Sequence, residues 1–317
     1  MRLCGTIIVA VGIAVSVHAE SLAVKMMPDE KWWGLCNNFG REMPFSEASS
    51  FKCDLRKDNY SHQSLSFLCS NRGRVVWCAE PVGVSIDAGE IALESDRSEI
   101  IIKNDAGRNL AEAYRYAAKT WFPIPDMLAA GFVGCPFICP DMVGGGEWTA
   151  FLPGAPFDPE LFIRSAQIQA LCPMMQFSAS PWRCLDAGNQ EIVKNVVALR
   201  QCFAPKFVEL AKESAKTGEP MMRNLEYCCV GHGYADVKDE FMMGDNLLVA
   251  PIVEKKAISR KVVLPPGRWK ADDGQVYDGA TTIEVTAPLE RLPYFIRVSE
   301  NFGKEWNHVG TSLGSGL

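Results

Sequence analysis

Histidine is scarce in this chain of 317 residues, which has four. His18 falls in an apolar leader, so His62, His232 and His308 remain. So few imidazoles argue against a structural metal site, because zinc needs a clustered set of Cys and His ligands. They also leave Cys135 and Cys139 without the base that a cysteine nucleophile requires. Basic runs are missing too. Lys plus Arg is 32 against 38 Asp plus Glu, a formal net charge of -6, and nothing in the chain is built to neutralise phosphates, which excludes nucleic acid as a partner. Past residue 17 there is no long apolar run, which excludes a multi-span membrane protein. The glycines at 144–146 lack the G-x-G-x-x-G spacing of a dinucleotide site, so no cofactor is implied. No internal repeat and no low-complexity block interrupts the chain. With 48% hydrophobic and 22% charged residues, it has the composition of a chain that folds, and its length suggests about two domains of roughly 150 residues.

What is present starts with the leader. Residues 1–2 give a small positive start, residues 3–17 are nearly all apolar, and Val17, His18 and Ala19 supply a cleavage site. This predicts a signal peptide over residues 1–19 and a secretory or extracellular location, with membrane anchoring only if the leader stays uncleaved. Asn59-Tyr60-Ser61 is a glycosylation sequon that fits this route. In an oxidising compartment some of the eleven cysteines beyond Cys4 are expected to pair, the rest being buried thiols.

Residues 20–105 read as strands and turns, with alternating or β-branched stretches at 46–56, 64–80, 82–87, 91–95 and 99–103, which predicts a β-sandwich. The pattern then changes. Asn109 caps a helical run to residue 121, stopped by Pro123 and Pro125. Residues 131–140 form a short apolar run, as a buried parallel strand does. Asp158-Pro159-Glu160 starts a helix running to about residue 171, residues 174–178 read as a strand, and Asn189 caps a helical stretch to residue 216 that Pro205 kinks or interrupts. This strand–helix rhythm is that of an α/β barrel or doubly wound sheet. Strands return at 245–253, 261–264, 282–285 and 294–298, and residues 301–317 are a polar tail.

On residue types alone, Asp141 followed by Gly144-Gly145-Gly146 is the strongest candidate site. A carboxylate at the C-terminal end of an apolar strand is where α/β folds place chemistry. It reads equally well as a loop-capping Asp with turn glycines. Trp182, after Ser178-Ala179-Ser180-Pro181, has two readings as well: an aromatic face for a sugar ring, or ordinary packing.

The segments GFVGCPFICPDMVGGG (131–146), DPELFIRSAQIQALCPMMQFSASPW (158–182) and DEFMMGDNLLVAPIVEKKAISRKVVLPPGRW (239–269), with PDEKWWGLCNNFGREMPFS (28–46) and NLAEAYRYAAKTWF (109–122), together resemble glycoside hydrolase family 31, the α-glucosidase family, and within it the myogenesis-regulating branch. The resemblance implies an α+β multidomain chain: an N-terminal β-sandwich (20–105), an incomplete remnant of a (β/α)8 TIM barrel (106–220) and a C-terminal β-sandwich (221–300). It implies a retaining hydrolase of O-glycosyl bonds acting on an oligosaccharide or glycan, with neither metal nor cofactor, and with Asp141, Gln176, Ser178 and Trp182 as substrate-binding residues. Ser178 stands where many α-glucosidases have a substrate-binding His, and Gly146 where the branch tends to have Asn.

A complete barrel needs about 250 residues, and the stretch between the linker helix and the C-terminal strands is under half of that. Residues 121–126 run straight into 127–131, where the family places its first six barrel strands. Those strands carry its nucleophile and its acid/base Asp. Ser85-Ile86-Asp87-Ala88-Gly89-Glu90 echoes the nucleophile motif but precedes the linker helix, and reads as coincidence. Retaining hydrolysis needs two carboxyl groups about 5 Å apart. The expectation is therefore a chain without hydrolytic activity, the product of exon skipping or misassembly of a family gene, with a secreted glycan-binding or regulatory pseudo-glycosidase as the alternative. Phe132, Val133, Phe137, Ile138, Met174, Met175 and Phe177 are expected to lack the neighbours a full barrel supplies.

Overall fold

Alternation of apolar and polar residues puts one face of each early strand into a shared core. In the computed structural model, which describes residues 20–58, 64–121, 142–144 and 157–298, these strands are β1 (Glu20–Lys25), β2 (Trp32–Cys36), β3 (Phe51–Asp54), β4 (Ser64–Ser70), β5 (Val75–Cys78), β6 (Gly83–Asp87), β7 (Glu90–Ser95) and β8 (Ile100–Lys103). They form two four-stranded sheets, ordered β1-β7-β6-β3 and β2-β4-β5-β8, with every pairing antiparallel. Val24, Trp32, Leu68, Ile86, Ile91 and Leu93 fill the space between them. The echo of a nucleophile motif at 85–90 is the hairpin joining β6 to β7. Ala88 and Gly89 both have positive φ, 48° and 76°, the backbone of a tight two-residue turn. At the sandwich edge, buried Arg74 pairs with Glu30 at 3.0 Å and lies over the Trp32 ring.

Helix α1 (Leu110–Trp121) starts where Asn109 Oδ1 accepts the amide of Glu112 at 3.0 Å. Leu110, Ala113 and Ala117 pack on Phe67, Cys69 and Val75, the outer side of the second sheet, together with Tyr227 from the C-terminal half. Asp158 caps α2 (Pro159–Ala170), accepting from the amide of Leu161 at 3.2 Å. A short α3 (Pro181–Cys184) precedes α4 (Ala187–Thr217).

Three expectations change here. The cap of α4 is Asp186, whose carboxylate accepts the Asn189 amide at 3.0 Å, not Asn189 itself. The helix is continuous through Pro205, because Phe203, Phe207 and Leu210 on either side of it are seated against the C-terminal sheet. Residues 174–178 form no strand. Phe177 makes a single parallel bridge with Val143, in which the Val143 amide donates to Gln176 O at 2.8 Å and the Ser178 amide to Val143 O at 3.0 Å. This is the one parallel pairing among the described residues. Residues 131–140 lie outside the described residues, with Phe132, Val133, Phe137 and Ile138. Met174 is exposed as expected, but Met175 and Phe177 do find neighbours, packing on Val143, Phe162 and Ile163 between α2 and α4.

The C-terminal part contains β9 (Met222–Arg223), α5 (Leu225–Cys228), β10 (Phe241–Met243), β11 (Leu247–Val249), β12 (Ser259–Leu264), β13 (Arg268–Ala271), β14 (Val276–Asp278), β15 (Thr281–Thr286) and β16 (Tyr294–Arg297). Six strands form one sheet, ordered β14-β13-β16-β11-β10-β9, and β12 pairs with β15. Residues 241–243 and 247–250 are apolar throughout because both faces of this sheet are covered. Phe241, Met243, Leu247 and Val249 face α4, while Met242 and Leu248 face β12 and β15. The strand expected at 245–253 is thus the second half of a hairpin whose turn uses Gly244 at φ 59°. The expectation of disulfides is not met at Cys53, Cys69, Cys78, Cys184, Cys228 and Cys229, which are free thiols. The first three lie buried on or beside strands, where a thiol packs as a small apolar group. No helix among the described residues is long and apolar enough to cross a membrane.

Candidate functional site

Residues 176–182 turn a corner between the Val143 bridge and α4, and the corner decides what each side chain can do. Ser178 is tied to Val143 O twice, by its amide at 3.0 Å and by its hydroxyl at 3.1 Å. That hydroxyl is therefore spent on the backbone as a donor, and its oxygen stays available as an acceptor. Gln176 is exposed, its carbonyl holding the Val143 amide. Pro181 occupies the first turn of α3, where its missing N–H costs nothing, and it turns the next residue outward. Trp182 is 73% exposed, which decides between its two readings. It is not core packing.

Beside Trp182 lies an open groove of about 380 Å³. Phe177, Pro181, Val193 and Val197 give it an apolar floor and wall. Ser178, Gln190, Lys194 and Gln201 line it with polar groups, and Lys194 holds Glu191 at 2.7 Å. Two of the four expected substrate-binding residues, Ser178 and Trp182, thus share one groove. Gln176 is not among its lining residues, and Asp141, like Asn59 and the leader, lies outside the described residues. Gln190, Lys194 and Gln201 were not anticipated, although their spacing with Val193 and Val197 is the three-and-four step of one helix face.

An apolar-walled groove with an exposed indole and a few amide and hydroxyl groups can bind a ring-shaped polar ligand, the indole face against the ring and the polar groups on its hydroxyls. Among the described residues lining it there is no carboxylate, so it holds no pair for glycoside cleavage. The strongly perturbed groups lie elsewhere. Burial pushes the thiols of Cys53, Cys69 and Cys228 up to about 12, and burial raises the Tyr227 phenol, which donates to Glu219 at 2.7 Å. None of these lines the groove, so they are features of packing. No group of three His, Cys, Asp or Glu among the described residues is arranged to hold a metal ion.

Residues 218–300, from the end of α4 through β16, match the glycosyl hydrolase family 31 C-terminal domain. The match is confined to these residues. The chain is 37% identical over 180 residues to the myogenesis-regulating glycosidase of Mus musculus, covering 54% of this chain and 25% of that protein. It is 31% identical over 185 residues to the SITS-binding protein of Tetronarce californica, covering 56% and 26%. It thus spans about a quarter of the length of these curated relatives. A crystal structure of a family 31 α-xylosidase from a soil metagenome, complexed with xylose, superposes with a TM-score of 0.66 at 13% identity, over 91% of this chain and 80% of that one. That likeness is one of fold.

Proposed function

We propose that this chain is a member of glycoside hydrolase family 31, descended from retaining α-glycosidases that hydrolyse O-glycosyl bonds, and that it binds a glycan in the groove beside Trp182 without hydrolysing it. The observation that carries this reading is the pairing of a 73% exposed indole with a groove whose described lining residues include no carboxylate. The parallel bridge between Val143 and Phe177, flanked by α2 and α4, fits the last two strands of a (β/α)8 barrel reduced to a remnant. Asp141, next to Met142 in the chain, is a sugar-contacting residue in this reading. Residues 1–19 are a signal peptide, and the chain is secreted with Asn59 glycosylated, a modification that a glycosidase-induced mass shift reveals.

The test has two arms. Binding to a panel of α-linked glucose and galactose oligosaccharides is measured for the full chain and for Trp182→Ala. Loss of the stacking face weakens binding about tenfold, since an aromatic contact contributes roughly 1 kcal/mol beyond its buried area. Turnover of aryl α-glucosides or α-galactosides by the same protein contradicts the non-catalytic reading. Absence of binding to every glycan contradicts the groove.

A further inference from the structure

Asp239 and Glu240 follow one another in the chain and converge on a single guanidinium. Arg260 of β12 donates from Nη2 to Asp239 Oδ2 at 2.8 Å and to Glu240 Oε1 at 3.1 Å. Its Nη1 reaches the main-chain oxygens of Asp239, at 2.9 Å, and of Pro251, and its Nε that of Lys261 at 3.0 Å. The two acids sit in different surroundings. The Asp239 side chain is 50% exposed and that of Glu240 is 1% exposed. Glu240 Oε1 also accepts the Val263 amide at 2.9 Å, while its Oε2 is buried with no hydrogen-bond partner.

One positive charge thus faces two negative ones, and the excess falls on a carboxylate with a bare buried oxygen. Such an oxygen costs free energy while it is charged, and a proton on Glu240 removes that cost and leaves Arg260 to Asp239. The three side chains join the lead-in to β10, the turn at Pro251 and β12, and so tie the two-stranded sheet to the six-stranded one.

We propose that Asp239, Glu240 and Arg260 form an acid-tightened clasp, which holds the two C-terminal sheets together more firmly in mildly acidic solution than at neutral pH. The charged groups facing Glu240 are Arg260 from β12 and Asp239 beside it. Burial pushes the Glu240 carboxyl up to about 7, with Asp239 adding to the rise and Arg260 and the Val263 amide opposing it. Its ordinary value is 4.5. Between the two, the folded protein holds a proton that the unfolded chain releases. The stabilisation is therefore complete below the ordinary value and is lost as the pH rises through about 7.

Thermal and urea unfolding of the full chain from pH 5 to pH 8, followed by circular dichroism, tests the clasp. One such group weakens the folding equilibrium by up to about tenfold per pH unit across its window. Glu240→Gln, neutral at every pH, removes this part of the slope while keeping the Val263 and Arg260 contacts at Oε1. Asp239→Asn removes the competing charge and moves the decline to lower pH. Either variant following the wild-type pH profile overturns the proposal. If Glu240→Gln does not fold, the position of the decline in Asp239→Asn decides alone.

Discussion

Replacing Arg164 by alanine is expected to cost about 3 kcal/mol of stability, far more than a charged side chain on a helix usually contributes. The side chain is 7% exposed and enters a cage of main-chain oxygens. Its Nη2 donates to Ala287 O at 2.9 Å and Ala257 O at 3.3 Å, and its Nη1 to Pro288 O and Arg291 O, both at 3.2 Å. Gln167 Oε1 completes the set at 3.0 Å. No carboxylate bonds to it among the described residues, and burial lowers its pKa, with Glu160 and Glu290 opposing through their charge, so the carbonyls are what it bonds to in place of water. A charge-assisted hydrogen bond contributes about 1.5–3 kcal/mol. Three good bonds and one long one exceed the cost of burying the guanidinium, and removing it takes the donor from Ala257 O, Ala287 O and Arg291 O, while Pro288 O keeps the Arg291 amide at 3.0 Å. A net loss near 3 kcal/mol follows, at the lower end of the 3–5 kcal/mol typical of breaking a buried ionic site. Gln167 Nε2 still holds Leu289 O at 2.7 Å, which keeps the loop at 287–291 near α2 and the damage local. Urea unfolding of the full chain reads this as a lower midpoint at unchanged slope. Lys255→Ala, which removes the exposed pair with Asp158 at 2.5 Å, is the control and stays within about 0.5 kcal/mol. A loss under about 1 kcal/mol for Arg164→Ala means water satisfies the carbonyls, and refutes the cage as what seats α2.

Two further outcomes follow from the N-terminal sandwich. Gly34 has φ 142° at a bulge of β2, and a Cβ built there falls 2.1 Å from Phe67 O; Gly34→Ala is expected to cost about 3 kcal/mol or more, and an unchanged melting temperature contradicts it. Cys53 and Cys69, pushed up to about 12 by burial, are thiolate in about one molecule in ten thousand at pH 8. Iodoacetamide on the native protein, followed by peptide mass spectrometry, should mark half-buried Cys184 well before either of them; equal rates refute the assignment.

The early strands and the helix starts at Asn109 and Asp158 were legible in the sequence because each depends on a few adjacent residues. Alternation needs only a buried and a solvated face, and a cap needs only a side-chain oxygen three residues from an amide. The C-terminal hairpin was less legible. Residues 241–243 and 247–250 are apolar on both faces, so no alternation marks the strands, and Gly244-Asp245-Asn246 alone betrays the turn. The groove was half visible. Ser178 and Trp182 stood out by residue type and motif, whereas Gln190, Lys194 and Gln201 join them only because α3 turns the chain back along α4. By itself the sequence determined the family resemblance of residues 218–300, the two β-rich ends and the helices between them, since local pattern and motif are carried by neighbours in the chain. Tertiary structure alone decided that Trp182 is exposed, that carbonyls from 257 and from 287–291 close on Arg164, and that Asp239 and Glu240 share Arg260. Each of these depends on which surfaces meet across long sequence separations, and hydrophobic burial, which is non-directional, does not specify that from local pattern.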